Sequence, residues 1–112
     1  MFLDDYRRLV RFSDETMVKV NLHQSHRMFA DLYCLAPGQE QRVHSHEDED
    51  KVYVVLEGRV YCTIGREERE LAPGGCAVAP AGEPHGIRCE GSDPAVVLTF
   101  MAPHPSLKGP KG

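Results

Sequence analysis

The chain has 112 residues and a mass of 12.5 kDa, the size of one compact domain with a single core that needs neither disulfides nor a structural metal to fold. Its 13 Lys plus Arg stand against 17 Asp plus Glu, a formal charge of -4, and the basic residues are scattered singly or in pairs, which argues against nucleic acid as a partner. No apolar run approaches the ~20 residues of a membrane span, and the opening MFLDDYRRLV lacks the basic-then-apolar order of a signal peptide, so the expected compartment is the cytoplasm, with no membrane contact.

In chain order, residues 1–16 mix Phe2, Leu3, Leu9, Val10 and Phe12 with charges at no clean period, which fits either a short edge strand or an N-terminal arm. From Met17 the pattern alternates: Val18 and Val20 are separated by Lys19, and Arg27 to Leu35 carries a second set of apolar residues before the Pro37-Gly38 turn. A polar stretch follows. Val52 to Leu56 is a continuous valine-rich run, too short for a helix and closed by Glu57-Gly58. Shorter segments then succeed one another: Arg59 to Ile64, Glu68 to Leu71, Cys76 to Ala79, His85 to Cys89 and Ala95 to Met101. Gly and Pro punctuate them every 8–12 residues or so, which is the pattern of an antiparallel sandwich or barrel with little helix. The core is expected over about residues 17–102, with 103–112 as an extended or frayed tail.

The four cysteines, Cys34, Cys62, Cys76 and Cys89, form no C-x-x-C pair and read as small apolar fillers, without disulfides, in a reducing compartment. His44 and His46 are two apart, so an extended strand would send both imidazoles to one face, where they could converge on a cation. His85 follows the stiff Pro80-Ala81-Gly82-Glu83-Pro84 loop and could supply a third nitrogen from a neighbouring strand. Such a facial set leaves coordination positions open for water or substrate. An H-x-H pair alone is weak evidence, because surface or core histidine pairs are more common. His23, His26 and His104 read as solvent-exposed or bland.

With these residues in view, the sequence resembles the cupin superfamily, whose two motifs are usually written G-x5-H-x-H-x3,4-E-x6-G and G-x5-P-x-G-x2-H-x3-N. Gly38, His44, His46 and Gly58 fall at the spacing of the first, and Gly74, Pro80, Gly82 and His85 at that of the second. The resemblance spans about residues 28–101. It implies an all-β fold, the double-stranded β-helix or jelly-roll barrel, with the motif histidines pointing into the barrel mouth and commonly binding a divalent transition metal. It also implies a homodimer, a role that the apolar residues of the N-terminal arm would suit. The glycines Gly38, Gly58, Gly74 and Gly82 have a physical reading as well, as positions needing positive φ or close backbone approach.

Two positions depart from the family pattern. Counted back from Gly58, the metal-binding glutamate falls on Lys51; counted forward from His46 with the shorter gap, it falls on Asp50. Strand parity favours Asp50, which should share the face of His44 and His46 while Lys51 points away, unless a bulge intervenes. The ligand set is therefore His44, His46 and His85, either with Asp50 or with water and Lys51 near the rim. Cys89 stands in the asparagine slot and should line the inner wall with Ile87, while Arg88 between them points outward. The run Glu47-Asp48-Glu49-Asp50 reads mainly as a solvated loop whose negative potential gathers cations.

Imidazole and carboxylate ligands suit iron, manganese, nickel, cobalt or zinc alike. Three functions are consistent with such a chain: a metal-dependent oxygenase, isomerase or lyase acting on a small polar molecule in the barrel; a non-catalytic binding or sensor module for a small ligand; or a structural cupin without metal. Beyond the ligands, the acid or base that an enzyme needs is limited to Lys51, Tyr53 and Glu49.

Overall fold

A computed structural model describes residues 1–105; the tail expected over 103–112 lies outside the described residues from 106 onward. Among the described residues nine strands follow one 3-10 turn, Tyr6–Arg8: β1 (Val18–Gln24), β2 (Phe29–Leu35), β3 (Glu40–His44), β4 (Asp50–Glu57), β5 (Val60–Ile64), β6 (Glu67–Leu71), β7 (Cys76–Ala79), β8 (His85–Arg88) and β9 (Ala95–Ala102). They form two antiparallel sheets, a five-stranded one ordered β1-β2-β9-β4-β7 and a four-stranded one ordered β3-β8-β5-β6. This is the all-β jelly-roll barrel that the resemblance implied. The expected strands are present, and β3 adds one within the stretch that reads as merely polar.

The face of the larger sheet that turns inward carries Tyr33, Leu35, Tyr53, Val55, Ala95 and Val97, which pack against Val60, Cys62, Ile87 and Cys89 of the smaller sheet and its margin. Each fully buried apolar side chain of this size contributes roughly 1.5–3 kcal/mol. The outer face of the larger sheet is covered by the chain's own N-terminal arm: Tyr6, Leu9 and Val10 pack against Val20, Leu32, Cys34 and Val96. Residues 1–16 therefore form an arm and no edge strand, and part of the apolar character assigned to a dimer contact is used within the chain. Met1, Leu3 and Phe12 stay exposed.

Gly38, Gly58, Gly74 and Gly82 all adopt positive φ, as their turn positions require. Gly58 also meets a steric demand, since a Cβ there would lie 2.3 Å from the Pro94 carbonyl oxygen. Cys34, Cys62 and Cys89 are buried, but Cys76 is exposed and so does not fill the core. His104, expected in a frayed tail, is buried: its ring packs edge-on against Phe29, with Nε2 3.1 Å from Gln24 Oε1.

Candidate metal centre

β3 and β8 bring two of the three histidines together. His44 lies directly opposite His85, while Gln41 pairs with Ile87, so β3 has one more residue than β8 between these two pairs. That bulge turns both Gln41 and His44 inward, although they are three apart and regular pleating would place them on opposite faces. Gly86 makes room for it. A Cβ on Gly86 would sit 2.8 Å from the Gln41 carbonyl oxygen and 2.9 Å from Val43 Cα and N.

His46 lies beyond the end of β3, and its backbone is tied to the loop that leads to His85: Gly82 N–H donates to the His46 carbonyl at 2.7 Å. The ring centroids of His44 and His85 are 4.5 Å apart, those of His44 and His46 4.8 Å, and those of His46 and His85 5.5 Å. One ligand atom from each lies within 4.8 Å of the others.

The partners of the rings favour metal ligation through Nε2. His44 Nδ1 lies 2.7 Å from the Arg42 carbonyl and His85 Nδ1 3.0 Å from the Glu83 carbonyl. A carbonyl can only accept, so each Nδ1 donates, and the neutral form of each ring carries its lone pair on Nε2. His46 Nδ1 faces the buried Glu49 carboxylate at 3.6 Å. Outer contacts of this kind fix tautomer and ring orientation in metal sites. His85 is 1 % exposed, and its Nε2 has no hydrogen-bond partner among the described residues. Burial, reinforced by the charge of Lys51, lowers the His85 pKa to about 4, so the ring is neutral at pH 7, the form that ligates. A buried neutral imidazole nitrogen with no partner, beside two others, fits a transition metal ion.

The carboxylate candidate stands apart from the three grouped rings. Asp50 is exposed, lies outside the histidine cluster, and its Oδ1 accepts from Ala81 N–H at 2.9 Å. It clamps the loop before His85 to the start of β4. Lys51, expected to point away, is 1 % exposed. Parity failed because 45–49 is not strand, so the alternation of β3 does not carry across to β4. Lys51 Nζ donates to Gln41 Oε1 at 3.1 Å, and it lies 5.2 Å from the Tyr33 ring centroid and 5.3 Å from that of Tyr53. Tyr53 O–H donates to the same Gln41 oxygen at 2.6 Å, and Gln41 Nε2 donates to Tyr33 Oη at 3.1 Å. Burial, with Lys19 adding to it, lowers the Lys51 pKa to about 7.

Gln41, Tyr33 and Gly86 are site residues that the sequence reading missed. Only the bulge, a tertiary feature, makes the first and last matter. Glu47 and Asp48 are exposed as a solvated loop should be, whereas Glu49 is buried against His46. Cys89 lines the core beside Ile87 as expected, its thiol 3.2 Å from the Asp93 carbonyl, which makes it a packing residue and not a ligand. Arg88 turns outward to Glu68 and Glu90. Arg27 and Arg42 are exposed.

No helix among the described residues is long and apolar enough to cross a membrane. The chain is 33% identical over 76 residues to an uncharacterized protein of Streptomyces coelicolor, an alignment covering 68% of this chain and 71% of that one. Among solved structures it is similar to TT1209 of Thermus thermophilus, with 52% identity, a TM-score of 0.90, and coverage of 94% of this chain and 100% of that one. It is also similar to an RmlC-like cupin protein of Desulfovibrio desulfuricans, at 32% identity and TM-score 0.80, covering 92% and 97%. A double-stranded β-helix protein of Klebsiella pneumoniae shares the fold at 22% identity and TM-score 0.82, covering 90% and 89%. The cupin domain family model matches residues 31–101, the span that holds both histidine motifs, and the chain belongs to the cupin family.

Proposed function

We propose that the protein binds one divalent transition metal through Nε2 of His44, His46 and His85, and acts on a small polar molecule at that site as an oxygenase, isomerase or lyase. The observation that carries this reading is the partnerless, buried Nε2 of His85 facing two imidazoles whose other nitrogens are already engaged. When bound, such a metal supplies Lewis acidity and an open coordination position. The chain's own residues would do the rest. Glu49 and the Arg42 and Glu83 carbonyls orient the rings, Asp50 holds the His85 loop, and Lys51 and Tyr53 offer proton-carrying groups in the barrel interior. With Asp50 held by Ala81, the proposed protein ligand set is the three histidines; iron, manganese, nickel, cobalt and zinc all suit it. Exposed Met1, Leu3 and Phe12 support the homodimer implied by the resemblance.

The test is metal content. Wild-type protein purified without chelators should retain close to one metal per chain by mass spectrometry of the metal, and His44→Ala should lose most of it. Equal metal in the two would remove the reading. A purely ligand-binding role is favoured by one observation, the ammonium of Lys51 where the family motif has a carboxylate, and turnover assays with metal-loaded protein separate the two.

A further inference from the structure

The interior of the barrel holds more unsatisfied polar chemistry than a metal alone would use. Lys51 offers three N–H donors, and one is given to Gln41. Among the described residues no carboxylate lies within ion-pair distance of its Nζ. Thr99 is fully buried, and its Oγ1 has no hydrogen-bond partner. The register places it close by: Thr99 faces Tyr53 across β4 and β9, and Lys51 is two residues along the same inward face. Directly paired residues share a face, and diagonal neighbours lie ~7–8 Å apart, within reach of a lysine side chain. Tyr53 continues the line to the metal centre, its ring centroid 6.2 Å from that of His85.

The charge is lopsided. Where the motif carries a carboxylate at -1, this chain carries an ammonium at +1. Lys19 adds a second cation 5.6 Å from the Tyr33 ring centroid. The facing carboxylate, Asp31, already accepts from Asn21 Nδ2 at 2.8 Å. An open cleft of about 340 Å³, lined in part by Lys19, Asn21, Asp31 and Tyr33, reaches this end of the barrel and is large enough for a molecule of a few heavy atoms. Asp31, on the cleft wall, pairs with Thr99 across β2 and β9, so the partnerless hydroxyl is buried behind that wall.

We propose that the molecule taken up by the barrel is a small carboxylate, gripped by Lys51 Nζ and Thr99 Oγ1 so that its remaining polar group points toward the three histidines. The proposal deepens the metal-site reading and rests on it for the second half of that orientation. The first half, the grip on the carboxylate, belongs to Lys51 and Thr99 alone. A carboxylate would hold Lys51 in its charged form and pair with it, which a neutral isostere cannot do, so recognition should discriminate by charge and not only by shape.

The experiment titrates glycolate and its neutral counterpart glycolamide into metal-free and Zn²⁺-loaded protein, read by ¹H–¹⁵N chemical-shift perturbation. Wild type, Lys51→Met and Thr99→Val are compared, the second variant being a near-isosteric swap that keeps the test alive if the first disturbs the fold. Glycolate should bind wild type saturably, with shifts at Lys51, Thr99 and their neighbours, at least about tenfold more tightly than glycolamide; Lys51→Met should weaken it by about tenfold or more, and Thr99→Val by several-fold. Equal affinity for glycolate and glycolamide, no loss in Lys51→Met, or no saturable shift in either protein form would overturn the proposal. Lys51-dependent binding to protein that holds no metal supports this grip while defeating the metal reading. Metal-loaded protein that ignores glycolate does the reverse.

Discussion

Replacing Lys51 with methionine should make the metal-free protein more stable at neutral pH. The lysine is 1 % exposed, its ammonium rests on two aromatic faces and one shared amide oxygen, and the Asp31 carboxylate offsets its charge only from beyond ion-pair distance. Its pKa falls from 10.5 to about 7 on folding. The lowered value means that between pH 7 and 10.5 the unfolded chain holds a proton that the folded chain has given up. Stability contributed by this site therefore rises with pH through that window, by about 1.4 kcal/mol per unit, and the full penalty is felt below pH 7. Integrated over the shift the penalty is on the order of 5 kcal/mol, an upper figure because the folded protein relaxes around the charge; replacements of buried charges by apolar groups of similar volume recover about 1–4 kcal/mol. Gln41 Oε1 keeps the Tyr53 hydroxyl as donor in the variant, so no acceptor is orphaned. Urea denaturation of wild type and Lys51→Met, in the presence of a chelator at pH 7, 8 and 9, reads the effect. The variant should lead by about 1–4 kcal/mol at pH 7, and the lead should shrink as pH rises. A lead that does not change with pH, or a variant less stable than wild type at pH 7, would refute the account of Lys51 as a buried cation whose burial outweighs its compensation.

Two further substitutions test how the site is built. Gly86→Ala places a methyl 2.8 Å from the Gln41 carbonyl and 2.9 Å from Val43 backbone atoms, so β3 and β8 must separate; stability should fall by about 1–3 kcal/mol and metal affinity by about tenfold, and wild-type melts and affinity would show that the bulge has slack. Asp50→Asn keeps an oxygen that can accept from Ala81 N–H and should retain metal at the wild-type level, whereas Asp50→Ala releases the loop and should weaken retention by about tenfold. Equal loss in both variants would return the Asp50 carboxylate to the ligand set.

The sequence alone determined the strand-rich barrel, the turns and the three histidines, because these depend on local features. Valine-rich runs too short for helices, glycines that must take positive φ, and fixed motif spacings are all readable along the chain. Tertiary structure alone decided which side chains enter the barrel. Parity predicts facing only while the backbone stays extended, and the loop at 45–49 reset it, turning Lys51 inward and Asp50 to the surface. Likewise the extra residue between Gln41 and His44 exists only against the shorter count on β8, and Gly86 matters because another strand crosses over it. The chemistry of the interior, an ammonium and a hydroxyl awaiting an acceptor or donor beside three imidazoles, thus arises from pairings between residues far apart in the chain, and no local pattern encodes them.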